Sequence, residues 1–259
     1  MASLTGKTVL VTGASAGIGR AAVKAFVAAG SKVIAVARSR ERLDELARES
    51  AGVVALPTDL TDAAAAEALA RTILDRYGPP DVIVANAGRG VDARFTETTD
   101  AAFQSLFELN VLGVVRSVRP FLPAMIARGS GRILFISSVV GKRGVPSYTA
   151  YSASKYAIHG IADALRPELW GTGVTVGIVC PSSTETEFDE RKLRAGPPQR
   201  SVRVQRHSAE SVARSIVRMA RTTRREMVLS PEGKLMTIVN TLSPKFMDWV
   251  LAKALVKKG

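Results

Sequence analysis

Short apolar runs recur along this 259-residue chain at Thr8 to Thr12, Lys32 to Ala37, Val53 to Leu56, Asp81 to Ala85, Arg132 to Ser137, Val174 to Val179 and Met227 to Leu229. The stretches between them are long enough for helices, as at Gly19 to Gly30, Ser39 to Ser50, Asp62 to Tyr77 and Asp100 to Arg128. From Ala150 to Trp170 the apolar residues Ala153, Ala157, Ile161 and Leu165 fall four apart, the spacing of one helix face. Continuous apolar runs suit strands buried on both faces, and their alternation with helices predicts parallel strands joined by right-handed crossovers. The expected fold is a single α/β domain over residues 1–259, a doubly wound parallel sheet with helices on both faces. Ligands in such sheets bind at the strand carboxyl ends. Gly13, Arg38, Asp59, Asn86 and Ser138 each follow an expected strand, which puts them on one rim. The interval from Ser182 to Arg206, with Gly196-Pro197-Pro198 at its middle, reads as a surface substrate-loop region.

Composition narrows the chemistry. An apolar content of 46% can furnish a substantial core. A single cysteine, Cys180, excludes an intramolecular disulfide and a cysteine-based zinc site, and two histidines leave little for a His-rich metal site. No charged and then apolar leader precedes Lys7, and together with the lone cysteine this predicts a cytoplasmic protein. The formal charge of +13 asks for an anionic partner: a phosphorylated cofactor, an acidic acyl carrier, a membrane surface or a nucleic acid. Charge alone does not choose among them.

The most specific chemistry lies in Tyr151-Ser152-Ala153-Ser154-Lys155, thirteen residues after Ser138. A phenol has an unperturbed pKa of about 10 and exchanges protons poorly near neutrality unless a positive charge stabilises the phenolate. One helical turn sets Lys155 on the face of Tyr151, and Ser138 closes an apolar strand that reaches them from elsewhere. Such a trio suits carbonyl and alcohol redox chemistry. A second signal is Val9-Leu10-Val11-Thr12-Gly13-Ala14-Ser15-Ala16-Gly17-Ile18-Gly19-Arg20, a strand, a glycine-rich turn and a helix start. Small residues there let the backbone approach a pyrophosphate at the helix N-terminus. About 20 residues on, an acidic side chain would hold the ribose 2′-OH of NAD and a basic one would accept the 2′-phosphate of NADP. This chain has Arg38 followed by Ser39, which favours NADP(H) over NAD(H), with Ser15 as a helper.

Taken together, Thr12-Gly13-x-x-x-Gly17-Ile18-Gly19, Asp59, Asn86-Ala87-Gly88, Asn110, Ser138 and Tyr151-x-x-x-Lys155 resemble the compact type of short-chain dehydrogenase/reductase, over roughly residues 5–190. The resemblance implies a Rossmann-type fold with Tyr151 as general acid and base. Lys155 would lower its pKa and hold the nicotinamide ribose, and Ser138 would hold the substrate oxygen. Asn110 would bend its helix and anchor a proton-relaying water. Asp59 and Leu60 would contact the adenine, and Asn86, Ala87 and Gly88 would steady the sheet beside the cofactor. It also implies homodimers or homotetramers through the helices beginning near Asp100 and Ala150. Where the family has Pro-Gly, this chain reads Pro181-Ser182-Ser183-Thr184-Glu185-Thr186, with Pro181, Thr184 and Thr186 expected against the nicotinamide. The family's glycine-rich end is replaced by Met227 to Gly233 leading into an apolar tail.

Ser208 to Glu226 reads as a helix with Val212, Ile216 and Met219 inward and Arg214, Arg218, Arg221 and Arg225 as a cationic stripe outward. Beyond it, residues 234–259 form an apolar extension in two pieces, each short of the roughly 20 residues a membrane span needs. Phe246, Met247, Trp249, Val250, Leu251, Ala254 and Leu255, with Lys245, Lys253, Lys257 and Lys258, fit an amphipathic helix. Three roles stay open for it: core or subunit packing, contact with an anionic membrane, or a lid over an apolar substrate. The leading function is an NADP(H)-dependent carbonyl reductase or alcohol dehydrogenase acting on a lipid-, steroid- or acyl-like substrate. The alternatives are a non-catalytic dinucleotide-sensing regulator and a membrane-associated binding protein. The lack of a helix-turn-helix or zinc module argues against nucleic acid as a partner.

Overall fold

A computed structural model describes residues 2–185, 193–194 and 206–256. In chain order the first half runs β1 (Thr8–Thr12), α1 (Gly17–Ala28), β2 (Lys32–Ala37), α2 (Arg40–Glu49), β3 (Val53–Pro57), α3 (Ala63–Tyr77) and β4 (Val82–Ala85). A short β5 (Val91–Asp92) precedes α4 (Asp100–Phe107), α5 (Val114–Arg116) and α6 (Leu122–Arg128). The second half holds β6 (Gly131–Ile136), α7 (Thr149–Glu168), β7 (Val174–Cys180) and the two-residue strands β8 (Thr184–Glu185), β9 (Leu193–Arg194) and β10 (His207–Ser208). It ends with α8 (Ala209–Ala220), β11 (Glu226–Val228), α9 (Pro231–Leu242) and α10 (Pro244–Leu255).

Seven strands form one parallel sheet in the order β11-β7-β6-β4-β1-β2-β3. Successive side chains leave opposite faces of each strand, so one set of runs fills two cores. Leu10, Ile83, Ile133 and Phe135 pack with Ile73, Phe121, Met125 and Ile158 on one face. Val9, Val11, Val84 and Leu134 pack with Phe26, Leu43, Leu46, Val212 and Ile216 on the other. The winding reverses between β1 and β4, and the crevice at their carboxyl ends is where such a sheet takes a ligand.

Three expected helices differ in the structure. The stretch Asp100–Arg128 is apolar and long enough to cross a membrane, yet Leu106, Val118, Phe121 and Met125 on it are buried in the protein. It is also not one regular helix: a π-helical turn at Glu108–Gly113 and a 3₁₀ turn at Arg119–Phe121 interrupt it. Pro120, without an N–H, and the amide of Asn110, drawn to the backbone of Arg89, account for the two breaks. The helix expected from Ser208 to Glu226 stops at Ala220, because Glu226 is taken into β11 and pairs with Ile178. Arg225 therefore leaves the cationic stripe; its carbonyl accepts from Ile178 N. Helix α7 ends at Glu168, before Trp170, as Gly171 and Gly173 turn the chain with φ of 77° and 78°. The substrate loop expected over 182–206 lies largely outside the described residues, as does Thr186.

Candidate active site

β1 brings Thr12 to the crevice, and the chain leaves it through Gly13 at φ 67°. A Cβ on Gly13 would lie 2.9 Å from Asn86 Nδ2, and one on Gly19 only 2.1 Å from the Gly13 carbonyl oxygen. The turn and the first turn of α1 close on each other only without side chains. Asn86 Nδ2 donates to the Thr12 carbonyl at 2.9 Å, while Thr12 Oγ1 accepts from the N–H groups of Asn86 and Ala87 at 3.1 Å. Asn86 and Ala87 thus pin the end of β4 to the glycine turn. Helix α1 follows Ala16, whose side chain caps nothing, and Gly13, Ser15, Gly17, Ile18 and Gly19 line the cavity at its start. Its free N–H groups and positive dipole end face that cavity, so the cradle fits a dinucleotide pyrophosphate.

Arg38 and Ser39, at the end of β2, line the same cavity with Asp59 and Leu60 after β3. The Ser39 side chain caps α2, accepting from Arg42 N at 3.4 Å, so it shapes the loop as well as facing the site. Asp59 is not a helix cap; Asp62 fills that place, and Asp59 instead accepts from Thr61 N at 2.9 Å and Thr61 Oγ1 at 2.8 Å. Burial opposes the Asp59 charge, but the Thr61 hydrogen bonds and the charge of Arg38 prevail and lower its pKa. Arg38 Nη1 stands 4.0 Å from Asp59 Oδ2 with both side chains well exposed, a weak pairing.

On the other side of the crevice, Ser138 ends the β6 rim, and its Oγ accepts from Val140 N at 3.4 Å. Tyr151 and Lys155 project from α7, with Lys155 Nζ 5.7 Å from the Tyr151 ring centroid. Ser138, Tyr151 and Lys155 line one cavity with Gly88, Pro181 and Thr184. Lys155 is 4% exposed and donates to the Ile136 carbonyl at 2.9 Å. Burial pushes its pKa down to about 8, and Cys180 is the one neighbour raising it. That help vanishes near neutrality, because burial pushes the Cys180 thiol up to about 12 and leaves it uncharged. Asn110 is fully buried and does not line the cavity. Its Oδ1 accepts from Arg89 N at 2.9 Å, and its Nδ2 donates to the Arg89 carbonyl and to Ser154 Oγ. These bonds tie the 108–113 turn to Arg89 and to α7, and they hold the Asn110 amide beside Gly88, which Lys155 also approaches.

Glycine turn, arginine rim and hydroxyl–lysine group share a cavity of about 1220 Å³. Its roof is α9 and α10, through Leu235, Met236, Val239, Phe246, Val250 and Leu251. Arg143 fastens this roof beside Ser138: it donates to Asn240 Oδ1 at 2.9 Å and is ion-paired with Asp248.

The family model for short chain dehydrogenases matches residues 7–195. This protein is a short-chain dehydrogenase. It is 36% identical over 261 residues to the ketoacyl reductase HetN of Nostoc sp., covering 96% of this chain and 89% of that protein. A short-chain dehydrogenase/reductase from Burkholderia phymatum, solved in complex with NAD, superposes with a TM-score of 0.86 at 25% identity, covering 95% of this chain and 96% of that one. An alcohol dehydrogenase from the archaeon Thermococcus sibiricus, complexed with 5-hydroxy-NADP, superposes with a TM-score of 0.76 at 28% identity, covering 86% and 95%. By membership the chain is an oxidoreductase of the alcohol–carbonyl class.

Three features of this short-chain dehydrogenase escaped the sequence reading. Arg42 and Arg89 line the cavity near Arg38. Burial first, and then the charge of Arg38, lower the pKa of Arg89, and its Nε is buried with no hydrogen-bond partner. The available signals were Arg89 directly after Asn86-Ala87-Gly88 and Arg42 a turn beyond Arg38. The third feature is Arg143, whose role depends on contact with residues about a hundred positions later and left no local trace.

Proposed function

We propose that this short-chain dehydrogenase interconverts a carbonyl and a secondary alcohol on an apolar, lipid-, steroid- or acyl-like substrate with NADP(H). The observation that carries the reading is the single cavity that runs from the glycine turn, past Ser138, Tyr151 and Lys155, to a roof of aliphatic and aromatic side chains. The nucleotide, when bound, supplies the hydride chemistry. Gly13, Gly17, Ile18 and Gly19 would hold its pyrophosphate, and Asp59 and Leu60 its adenine. The rim supports a 2′-phosphate: Arg38 with Ser39 stands where an acidic residue would favour NAD, and the like charge of Arg89 beside it calls for an anion.

In reduction, Tyr151 gives its hydroxyl proton to the carbonyl oxygen, and in oxidation it takes the alcohol proton back. Lys155, largely protonated at neutral pH with a pKa of about 8, sets a positive charge near the phenol and eases proton release. Ser138 donates to the substrate oxygen and fixes the reacting carbon. Ketoacyl reductase relatives agree with an acyl-like substrate.

Calorimetric titration with NADPH and NADH, repeated on Arg38→Asp, tests the cofactor half. The expectation is tight NADPH, weak NADH, and loss of that preference in the variant. Equal or tighter NADH binding by the parent protein would overturn it.

A further inference from the structure

Helices α9 and α10 lie at the surface, yet each carries large apolar side chains on more than one side, a pattern wider than the single buried stripe of an ordinary surface helix. Their inner sides roof the cavity through residues such as Met236, Val239, Val250 and Leu251. Their outer sides are apolar too: Leu235, Ile238 and Leu242 follow one another at i, i+3 and i+7 on α9, with exposures of 62%, 55% and 80%. Phe246 and Trp249 continue the patch on α10, more than half exposed and stacked with ring centroids 5.8 Å apart. Among the described residues, six of the twelve exposed large apolar side chains fall between 235 and 256. Leu235 and Phe246 both line the cavity and are more than half exposed, so the patch is continuous with the cavity wall.

We infer that this hairpin docks on an anionic lipid bilayer with the cavity mouth facing the lipid, so that an apolar substrate enters without crossing water. Lys234, Lys245 and Lys253 are exposed around the patch, and Lys253 Nζ sits 5.3 Å from the Trp249 ring centroid, an aromatic body with a cationic edge suited to a headgroup boundary. Of the two acids there, Glu232 and Asp248, the second is held by Arg143. The net charge of +13 adds attraction to an anionic surface. A second copy is the poorer occupant: a two-fold face places the same patch against itself, bringing like-charged lysines and two strongly basic chains together. Docking stands independently of the redox chemistry; only substrate entry from the bilayer rests on the proposed function.

The full chain is sedimented with phosphatidylcholine vesicles and with vesicles containing phosphatidylserine at about 0.1 M salt, where charges still act over roughly 10 Å. The Leu242→Glu/Trp249→Glu variant is run beside it; neither residue lines the cavity. The expected result is binding to the anionic vesicles, weak binding to the neutral ones, and at least about a tenfold loss in the variant, since burial of one such side chain is worth about that factor or more. NADPH binding and turnover of a water-soluble carbonyl should be unchanged in the variant, so a failure of docking is distinguishable from a failure of the redox reading. In a Trp170→Phe background, Trp249 emission should shift to the blue on adding anionic vesicles and be quenched by brominated lipid. Protein left in the supernatant, equal sedimentation of parent and variant, or a lipid-independent dimer that the variant splits would each overturn the inference.

Discussion

Replacing Lys155 with methionine removes a fully buried ammonium whose charge the fold tolerates at a cost. Folding lowers the pKa of Lys155 from 10.5 to about 8, a penalty of about 3 kcal/mol on the charged form at roughly 1.4 kcal/mol per pH unit. The sign follows from proton binding: between pH 8 and 10.5 the unfolded chain holds the proton and the native one has released it, so stability rises with pH across that window. Below pH 8 the penalty is complete. Methionine carries no charge but leaves the Ile136 carbonyl without its donor, which costs about 1–3 kcal/mol at every pH. The stability of the variant relative to the parent should therefore be greatest at pH 7 and should fall by about 2 kcal/mol by pH 9.5. Urea unfolding of the nucleotide-free proteins at both pH values gives this difference, with contributions from all other groups cancelling. A parent–variant difference that stays constant from pH 7 to 9.5 would refute the argument that burial sets the charge state of Lys155. Turnover in the variant should be lost throughout.

Tyr151→Phe should abolish turnover and leave NADPH affinity nearly unchanged, as read by stopped assay and calorimetry; turnover comparable to the parent would remove Tyr151 from the proton step. Gly19→Ala places a methyl 2.1 Å from a backbone oxygen, so it should distort the glycine turn, weaken dinucleotide binding by at least tenfold and lower Tm. Asn110→Leu strands the N–H and carbonyl of Arg89 and should cost about 2–4 kcal/mol of unfolding free energy. For Arg89→Ala, NADPH affinity should fall while NADH affinity changes little, a selectivity that a purely structural role of this side chain would not produce.

The parallel order of the strands and the rim that holds the site were legible because they depend on local pattern. Uninterrupted runs such as Val9-Leu10-Val11 and Ile133-Leu134-Phe135 must be buried on both faces, and that condition alone leaves few topologies. The glycine spacing at Gly13, Gly17 and Gly19 and the one-turn separation of Tyr151 and Lys155 are likewise local, so their geometry followed from helix and turn rules. What tertiary structure decided involves partners distant in sequence. The amide of Asn110 is engaged by the backbone of Arg89 and the hydroxyl of Ser154, partners that no local pattern names. The 108–113 segment bends for the same reason; the apolar pattern alone carried no sign of it, and only the family resemblance at Asn110 implied it. The amphipathic tail became a roof with two apolar sides, and neither side is distinguishable in the sequence. The link from Arg143 to Asn240 and Asp248 and the burial of Met247 set which face turns to the cavity, since hydrophobic periodicity reports that a residue is apolar but not what covers it.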